Sequence, residues 1–289
     1  MALGSPVSAP RSVQLDRLLA LPPFPAVARK LMVLLAKPNF TIPEVSQLVR
    51  SDAVFAAEVL RLANSAMMGL RYEVVSILHG ISVLGMDRLK NLVMTVAMRD
   101  FIRGARQAAM LRHAWRHNLA SALLAEAIAA PCLIEPSDAY TAGLLHDLGR
   151  LALIAGWPGE YSKVLAASAL PGGEELLSCE ARILGIDHRG AGELLGREWG
   201  LPDALRDLLC LRASPSSGLL TTVRLAKLSC ALADRLGFSI GECHDEWDLK
   251  WLEQQMPPGS WTRFAPKAES LRESVLLRIN AFESEFLPG

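Results

Sequence analysis

Apolar residues recur along this chain at the three-and-four spacing of helices. Phe55, Val59, Leu62 and Ala66 share one stripe, as do Ala191, Leu194, Leu195 and Trp199, and later Leu271, Val275, Phe282 and Phe286. Such sets line one face of a helix with 3.6 residues per turn. The alternating apolar and polar runs that mark strands are nearly absent. Thr41-Ile42-Pro43-Glu44 has capping-box spacing with a proline in the first turn, and Ser137 follows Pro136 ahead of another apolar run; both predict helix starts. Prolines and glycines fall between periodic segments, at Pro22-Pro23, Pro171-Gly172-Gly173, Pro202, Ser214-Pro215 and Pro257-Pro258-Gly259. The pattern predicts an all-α fold of about a dozen or more helices, well above the usual helical share.

A break lies at Arg103-Gly104-Ala105-Arg106, where the apolar helix ending in Phe101 gives way to the segment carrying His113. It divides the chain into a flexible start over 1–14, a first helical lobe over 15–105, a second over 106–240 and a helical extension over 241–289. No repeat of solenoid length is present. Trp247, Trp251 and Trp261 cluster in the extension. Large aromatics supply packing area, so they are expected to cap the core in preference to forming a partner surface.

Composition narrows the function classes. The 289 residues are 51% hydrophobic and 21% charged, with 30 basic side chains against 30 acidic ones. That excludes a disordered regulator, which needs low hydrophobicity and high net charge. It also removes the long-range positive field on which nucleic-acid binders rely, so nucleic acid is a disfavoured partner. Glu126, Asp147 and Lys227 interrupt the most apolar stretches, so no membrane span is expected, and the first ten residues lack the apolar core of a signal peptide. A soluble, cytoplasmic protein is the expectation. Cys132, Cys179, Cys210, Cys230 and Cys243 are widely spaced and never form a C-x-x-C pair; they are expected to be free, buried and without chemistry.

Candidate chemistry rests on histidine. His113 and His117 stand one helical turn apart, and His146-Asp147 sits inside Gly143-Leu-Leu-His-Asp-Leu-Gly149, an ionisable pair in an otherwise apolar segment. Burying such a pair costs several kcal/mol unless a metal, another histidine or a cation compensates. Asp187-His188 is a third candidate position: Asp187 reads as a helix N-cap and His188 as a first-turn residue partly in solvent. Asn64 reads as a helix cap and His79 and His244 as surface positions. Glycine-rich nucleotide loops and nucleophile elbows are absent.

These residues resemble a known family. Gly-Leu-Leu-His146-Asp147-Leu-Gly-Arg-Leu is similar to the central motif of the HD superfamily of metal-dependent phosphohydrolases, in which a histidine, the His-Asp doublet and a later aspartate ligate one or two metals. Leu21-Pro22-Pro23-Phe24-Pro25, the block from Asp52 through Asn64-Ser65-Ala66, and Ser76 through Leu84-Gly85 resemble the first lobe of HDOD domains, non-catalytic or degenerate relatives of the HD and HD-GYP enzymes in bacterial signalling. In the second lobe Trp115-Arg116-His117, the doublet, and Gly185 through Trp199 and Pro202 follow the same order. The resemblance spans about residues 15 to 240 and implies two packed helical lobes, the second HD-like.

Departures from the HD pattern shape the functional expectation. Lys227 is aligned where the final aspartate would stand, and a lysine ammonium cannot ligate a metal. Gly149-Arg150 replaces the Gly-Lys of the cyclic-di-nucleotide phosphodiesterases, and Cys210 to Pro215 stand where many relatives carry a histidine pair. His117, His146 and Asp147 remain as a residual metal set, with Asp187, His188, Lys227 and Arg150 as cleft candidates. No cofactor is expected beyond a weakly held divalent ion such as iron or manganese. Lys227 is expected to supply the charge that offsets buried Asp147. The resemblance therefore implies a signalling or scaffolding module that binds proteins or a small ligand without efficient catalysis. The alternatives are a one-metal phosphohydrolase and a non-hydrolysing cyclic-di-nucleotide sensor using Arg112, Arg116, Arg150 and Arg189. Signalling proteins are the expected partners, with a nucleotide or cyclic dinucleotide as the small-ligand alternative; no membrane partner is expected, and self-association is left open.

Overall fold

The computed structural model describes residues 16–21, 25–35, 37–65, 68–103, 108–169, 175–201, 203–211, 221–241, 248–257 and 259–286. Within these, the chain forms helices and no strand. In chain order they are α1 (Ala26–Leu35), α2 (Ile42–Arg50), α3 (Ala53–Ala63), α4 (Ile77–Leu84) and α5 (Met86–Arg103). Then come α6 (Ala108–Ala129), α7 (Pro136–Leu145), α8 (Leu148–Gly156), α9 (Pro158–Ser168), α10 (Leu176–Leu184), α11 (His188–Glu198), α12 (Asp203–Leu209) and α13 (Thr222–Ala233). Among the described residues the last helices are α14 (Leu249–Gln255), α15 (Trp261–Ala268) and α16 (Leu271–Phe286).

Local chemistry sets the helix starts. At α2 both halves of the capping box form: the Thr41 hydroxyl accepts from the Glu44 amide, and the Glu44 carboxylate accepts from the Thr41 amide at 2.8 Å. Such a cap stabilises a helix by about 1 kcal/mol. Asp52 caps α3, and Asp187 caps α11 through the Gly190 amide at 2.7 Å. Asn64 ends α3 and pins the following loop, donating to the Leu60 and Val74 carbonyls while accepting from the Val74 amide at 2.7 Å.

A continuous apolar core runs from Leu18 to Ile279. α5 packs against α1, α3, α4 and α7. It buries Leu89, Val93, Val96 and Ala97, while Thr95 of α5 and Tyr140 of α7 share a 2.8 Å hydroxyl contact. Arg29 of α1 donates to the Trp199 carbonyl at the end of α11. The segment expected to separate the lobes falls largely in residues 104–107, outside the described residues.

α6 is buried almost all round: Leu111, Ala114, Trp115, Leu119, Ala122 and Leu124 are all in the core. A helix wrapped on every side can hold polar residues only where they find partners. Its neighbours include α7, α13 and α16. Phe282 of α16 packs at 6.0 Å against Trp115, and Trp251 and Trp261 lie half-buried on the core. Trp247, His244 and Cys243 lie outside the described residues. His79 is exposed and stacks on Tyr72.

Two glycines set how closely α6, α7, α8 and α11 approach one another. A Cβ on Gly143 would lie 2.5 Å from the Ser121 carbonyl oxygen, so α7 rests directly on the backbone of α6. A Cβ on Gly149 would overlap the His188 carbonyl oxygen, so α8 rests on the first turn of α11. These contacts draw α6, the α7–α8 junction and the start of α11 to one point. That point lies between the two glycines of the Gly-Leu-Leu-His-Asp-Leu-Gly motif.

Candidate functional site: three histidines, a thiol and a neutralised carboxylate

The His-Asp doublet does not lie inside a continuous helix. α7 ends at Leu145, His146 is its C-cap, and Asp147 is the N-cap residue of α8 with φ −111° and ψ 22°. Asp147 makes no side-chain capping bond. Its carboxylate turns instead into a buried cluster formed by α6, α11 and α13, and both His146 and Asp147 are about 1% exposed.

The three histidines around this carboxylate present the same nitrogen inward. His117 directs Nδ1 to the Phe238 carbonyl at 3.2 Å, with Asp234 Oδ1 at 3.3 Å. His146 directs Nδ1 to the Gly143 carbonyl at 2.8 Å, and His188 directs Nδ1 to Glu180 Oε2 at 2.6 Å. A backbone carbonyl or an ionised carboxylate can only accept, so Nδ1 carries the proton in each ring. Every Nε2 then faces the centre: His117 Nε2 and His146 Nε2 lie 3.9 and 3.7 Å from Asp147 Oδ2, and His188 Nε2 lies 3.8 Å from Oδ1. His146 Nε2 is buried and makes no hydrogen bond.

Cys230 of α13 closes the cluster. Its sulfur stands 3.5 Å from His117 Nε2, and the two imidazole Nε2 atoms and the sulfur all lie within 4.8 Å of one another. Burial opposes charge on all three groups, but mutual attraction prevails. The imidazolium rings of His146 and His117 hold the Cys230 thiol below its ordinary value. The thiolate and Asp234 raise His117, while Asp147 and then the thiolate raise His146.

Arg150 supplies the compensating charge for Asp147. One turn along α8, its Nη1 stands 2.6 Å from Asp147 Oδ2, with its side chain largely enclosed. Burial pushes the Asp147 carboxyl up, but Arg150 first, then His146, His188 and His117, hold it far below the usual carboxylate range. Behind His188, Glu180 is fully buried and takes three donors: the His188 ring, the His188 amide at 2.9 Å and the Tyr161 hydroxyl at 2.6 Å.

Several expectations are corrected here. Lys227 is exposed and does not offset Asp147, because the buried stripe of α13 runs through Leu225, Ala226, Ser229, Leu232 and Ala233 and leaves position 227 on the outer side. Arg150 takes that role, and Cys230, expected to be inert, is the α13 residue that reaches the cluster. His188 is buried, not partly solvated; Asp187 acts as the cap. His113 is exposed and takes no part. Among the four arginines weighed for a nucleotide groove, Arg112 and Arg189 are exposed, Arg116 faces Glu283 at 3.5 Å, and Arg150 is committed to Asp147. Glu180, Tyr161 and Asp234 went unrecognised in the sequence. The signal for Glu180 is an acid on the apolar stripe of α10, beside Cys179 and Leu184. The described cysteines form no disulfide, and no described helix is long and apolar enough to cross a membrane.

Known proteins share this arrangement of helices. The HDOD domain family model matches residues 21–215. An HDOD domain protein of unknown function from Geobacter sulfurreducens superposes with a TM-score of 0.66 at 23% identity, covering 95% of this chain and 96% of that one. A Shewanella amazonensis protein provisionally named a phosphohydrolase gives 0.64 at 24% identity, covering 92% and 93%. At these identities the likeness establishes the fold. An uncharacterized protein of Treponema pallidum is 23% identical over 193 residues, 65% of this chain. The match spans only 36% of that relative's length.

Proposed function

The chain belongs to the HDOD domain family, and on that premise we propose that it is a bacterial signal-transduction or scaffolding module that acts by binding, without efficient phosphoryl transfer. The observation that carries this reading is the 2.6 Å contact between Arg150 Nη1 and Asp147 Oδ2. Two-metal hydrolysis needs carboxylates that clamp both ions and leave the attacking oxygen between them. Among the described residues Asp147 is the one carboxylate facing the three Nε2 atoms, and a guanidinium already holds it. Glu180 is spent on His188 and Tyr161, and Asp234 lies on the far side of His117.

The iron or manganese centre of the HD hydrolases is a poor fit to these donors. A thiol in place of the later aspartate makes this donor set softer than the histidine and carboxylate shell that such chemistry uses. Binding is the remaining work of the domain. A protein partner is favoured over a cyclic dinucleotide, because none of the four arginines weighed for phosphate recognition stands uncommitted at the centre.

The test is a hydrolysis assay of the full chain with magnesium, manganese, ferrous iron or zinc, over phosphomonoesters, nucleotides and cyclic dinucleotides. Rates equal to those of Asp147→Asn support the reading. Turnover that disappears in Asp147→Asn and in His146→Ala overturns it in favour of a hydrolase. Calorimetric titration with cyclic dinucleotides should give no heat of binding; saturable heat would instead support a nucleotide sensor.

A further inference from the structure

The donors around the centre do not suit the family's metals, yet they are arranged as a ligand set. Three observations carry this. Each histidine has its outer nitrogen fixed by an acceptor, the arrangement by which proteins orient metal-ligating imidazoles. His146 Nε2 is buried and makes no hydrogen bond, with Asp147 Oδ2 3.7 Å away, and a buried nitrogen without a hydrogen bond is costly unless something binds it. The spacing of one ligand pair also matches. For a tetrahedral ion with bonds of about 2.05 Å to nitrogen and about 2.3 Å to sulfur, adjacent N and S atoms are about 3.6 Å apart. His117 Nε2 and Cys230 Sγ are 3.5 Å apart.

We propose that His117 Nε2, His146 Nε2 and Cys230 Sγ bind one thiophilic divalent cation of the zinc type. The site differs from the mixed histidine and carboxylate shell of the HD centre in its α13 ligand, a thiolate in place of a carboxylate. Two imidazoles and a thiolate select zinc or cobalt over magnesium or manganese, which prefer oxygen shells. Asp147 Oδ2, 3.7 Å from His146 Nε2 and 3.9 Å from His117 Nε2, stands near the fourth position while held by Arg150. Glu180 and Asp234 act as positioning residues for His188 and His117. The inference is independent of the binding reading above, since the ion can hold the second lobe together whether or not the chain hydrolyses anything.

The test uses the full chain, stripped with chelator and reloaded with zinc or cobalt alone. One equivalent per chain is expected, and X-ray absorption at the zinc edge of the wild-type protein should show one sulfur at about 2.3 Å with nitrogen neighbours. The cobalt form should show a thiolate-to-metal charge-transfer band in the near ultraviolet. Cys230→Ser should abolish that band and weaken zinc binding at least tenfold. Failure to take up one equivalent, a zinc spectrum containing only nitrogen and oxygen neighbours, or a charge-transfer band that survives in Cys230→Ser would each overturn the proposal. The absorption measurement needs no variant, so the proposal stays testable if Cys230→Ser does not fold.

Discussion

Arg150 Nη1 stands 2.6 Å from Asp147 Oδ2, one turn apart on α8. The contact reconciles a buried His-Asp doublet with an apolar helix junction, because the guanidinium returns much of the solvation that Asp147 loses. Removing one partner of a buried pair leaves the other uncompensated. Arg150→Ala should therefore cost about 3–5 kcal/mol of unfolding free energy. Urea denaturation followed by circular dichroism measures it; a loss below about 1 kcal/mol would mean that the pair is solvent-relaxed.

Gly149 admits the first turn of α11 against α8. Gly149→Ala would drive its methyl group into the His188 carbonyl and displace His188 from Asp147. The expected loss is about 3 kcal/mol or more, at the upper end of overpacking costs. Gly156, at the end of the same helix, has open space where an alanine methyl would sit, with nothing within 4 Å. Gly156→Ala should be neutral or stabilising by about 0.5–1 kcal/mol. Thermal melts of the two variants side by side read the contrast, and equal shifts would refute the close-approach argument.

Glu180 brings a pH dependence. Burial pushes its carboxyl up, but the His188 and Tyr161 hydrogen bonds and the charge of Arg150 outweigh this and hold it below the ordinary glutamate value. A depressed folded value means that its stabilisation is complete above the unfolded value and is lost as pH falls through the folded one. Glu180→Gln should cost about 1–3 kcal/mol at neutral pH. The gap to wild type should narrow below about pH 4. Denaturation at several pH values tests this; a gap that widens in acid would contradict it.

Lys227 is exposed on α13. Lys227→Asp should leave stability within about 0.5 kcal/mol of wild type. It should not raise bound iron or manganese, as read by elemental analysis. A gain of metal would mean that α13 presents position 227, not 230, to the cluster.

The helical architecture was legible because helix stripes and caps are local signals: Phe55 and Val59, or Thr41 and Glu44, lie within a turn of each other. His117, His146 and Asp147 stood out because polar groups in apolar stretches demand partners. The identity of those partners was not local. Arg150 follows Asp147 by three residues, yet an arginine near a doublet also reads as a solvated side chain. Cys230, Asp234 and Glu180 come from α13, the turn after it, and α10, and reach the centre through the packing set by Gly143 and Gly149. The register of α13 decided between Lys227 and Cys230, and its stripe of small residues, Ala226, Ser229 and Ala233, was the available clue.

A crystal structure of the protein soaked in manganese tests the central claim most directly. The account predicts Arg150 still paired with Asp147 and no bimetallic centre. Two manganese ions bridged by Asp147, with the Arg150 guanidinium swung away, would contradict it.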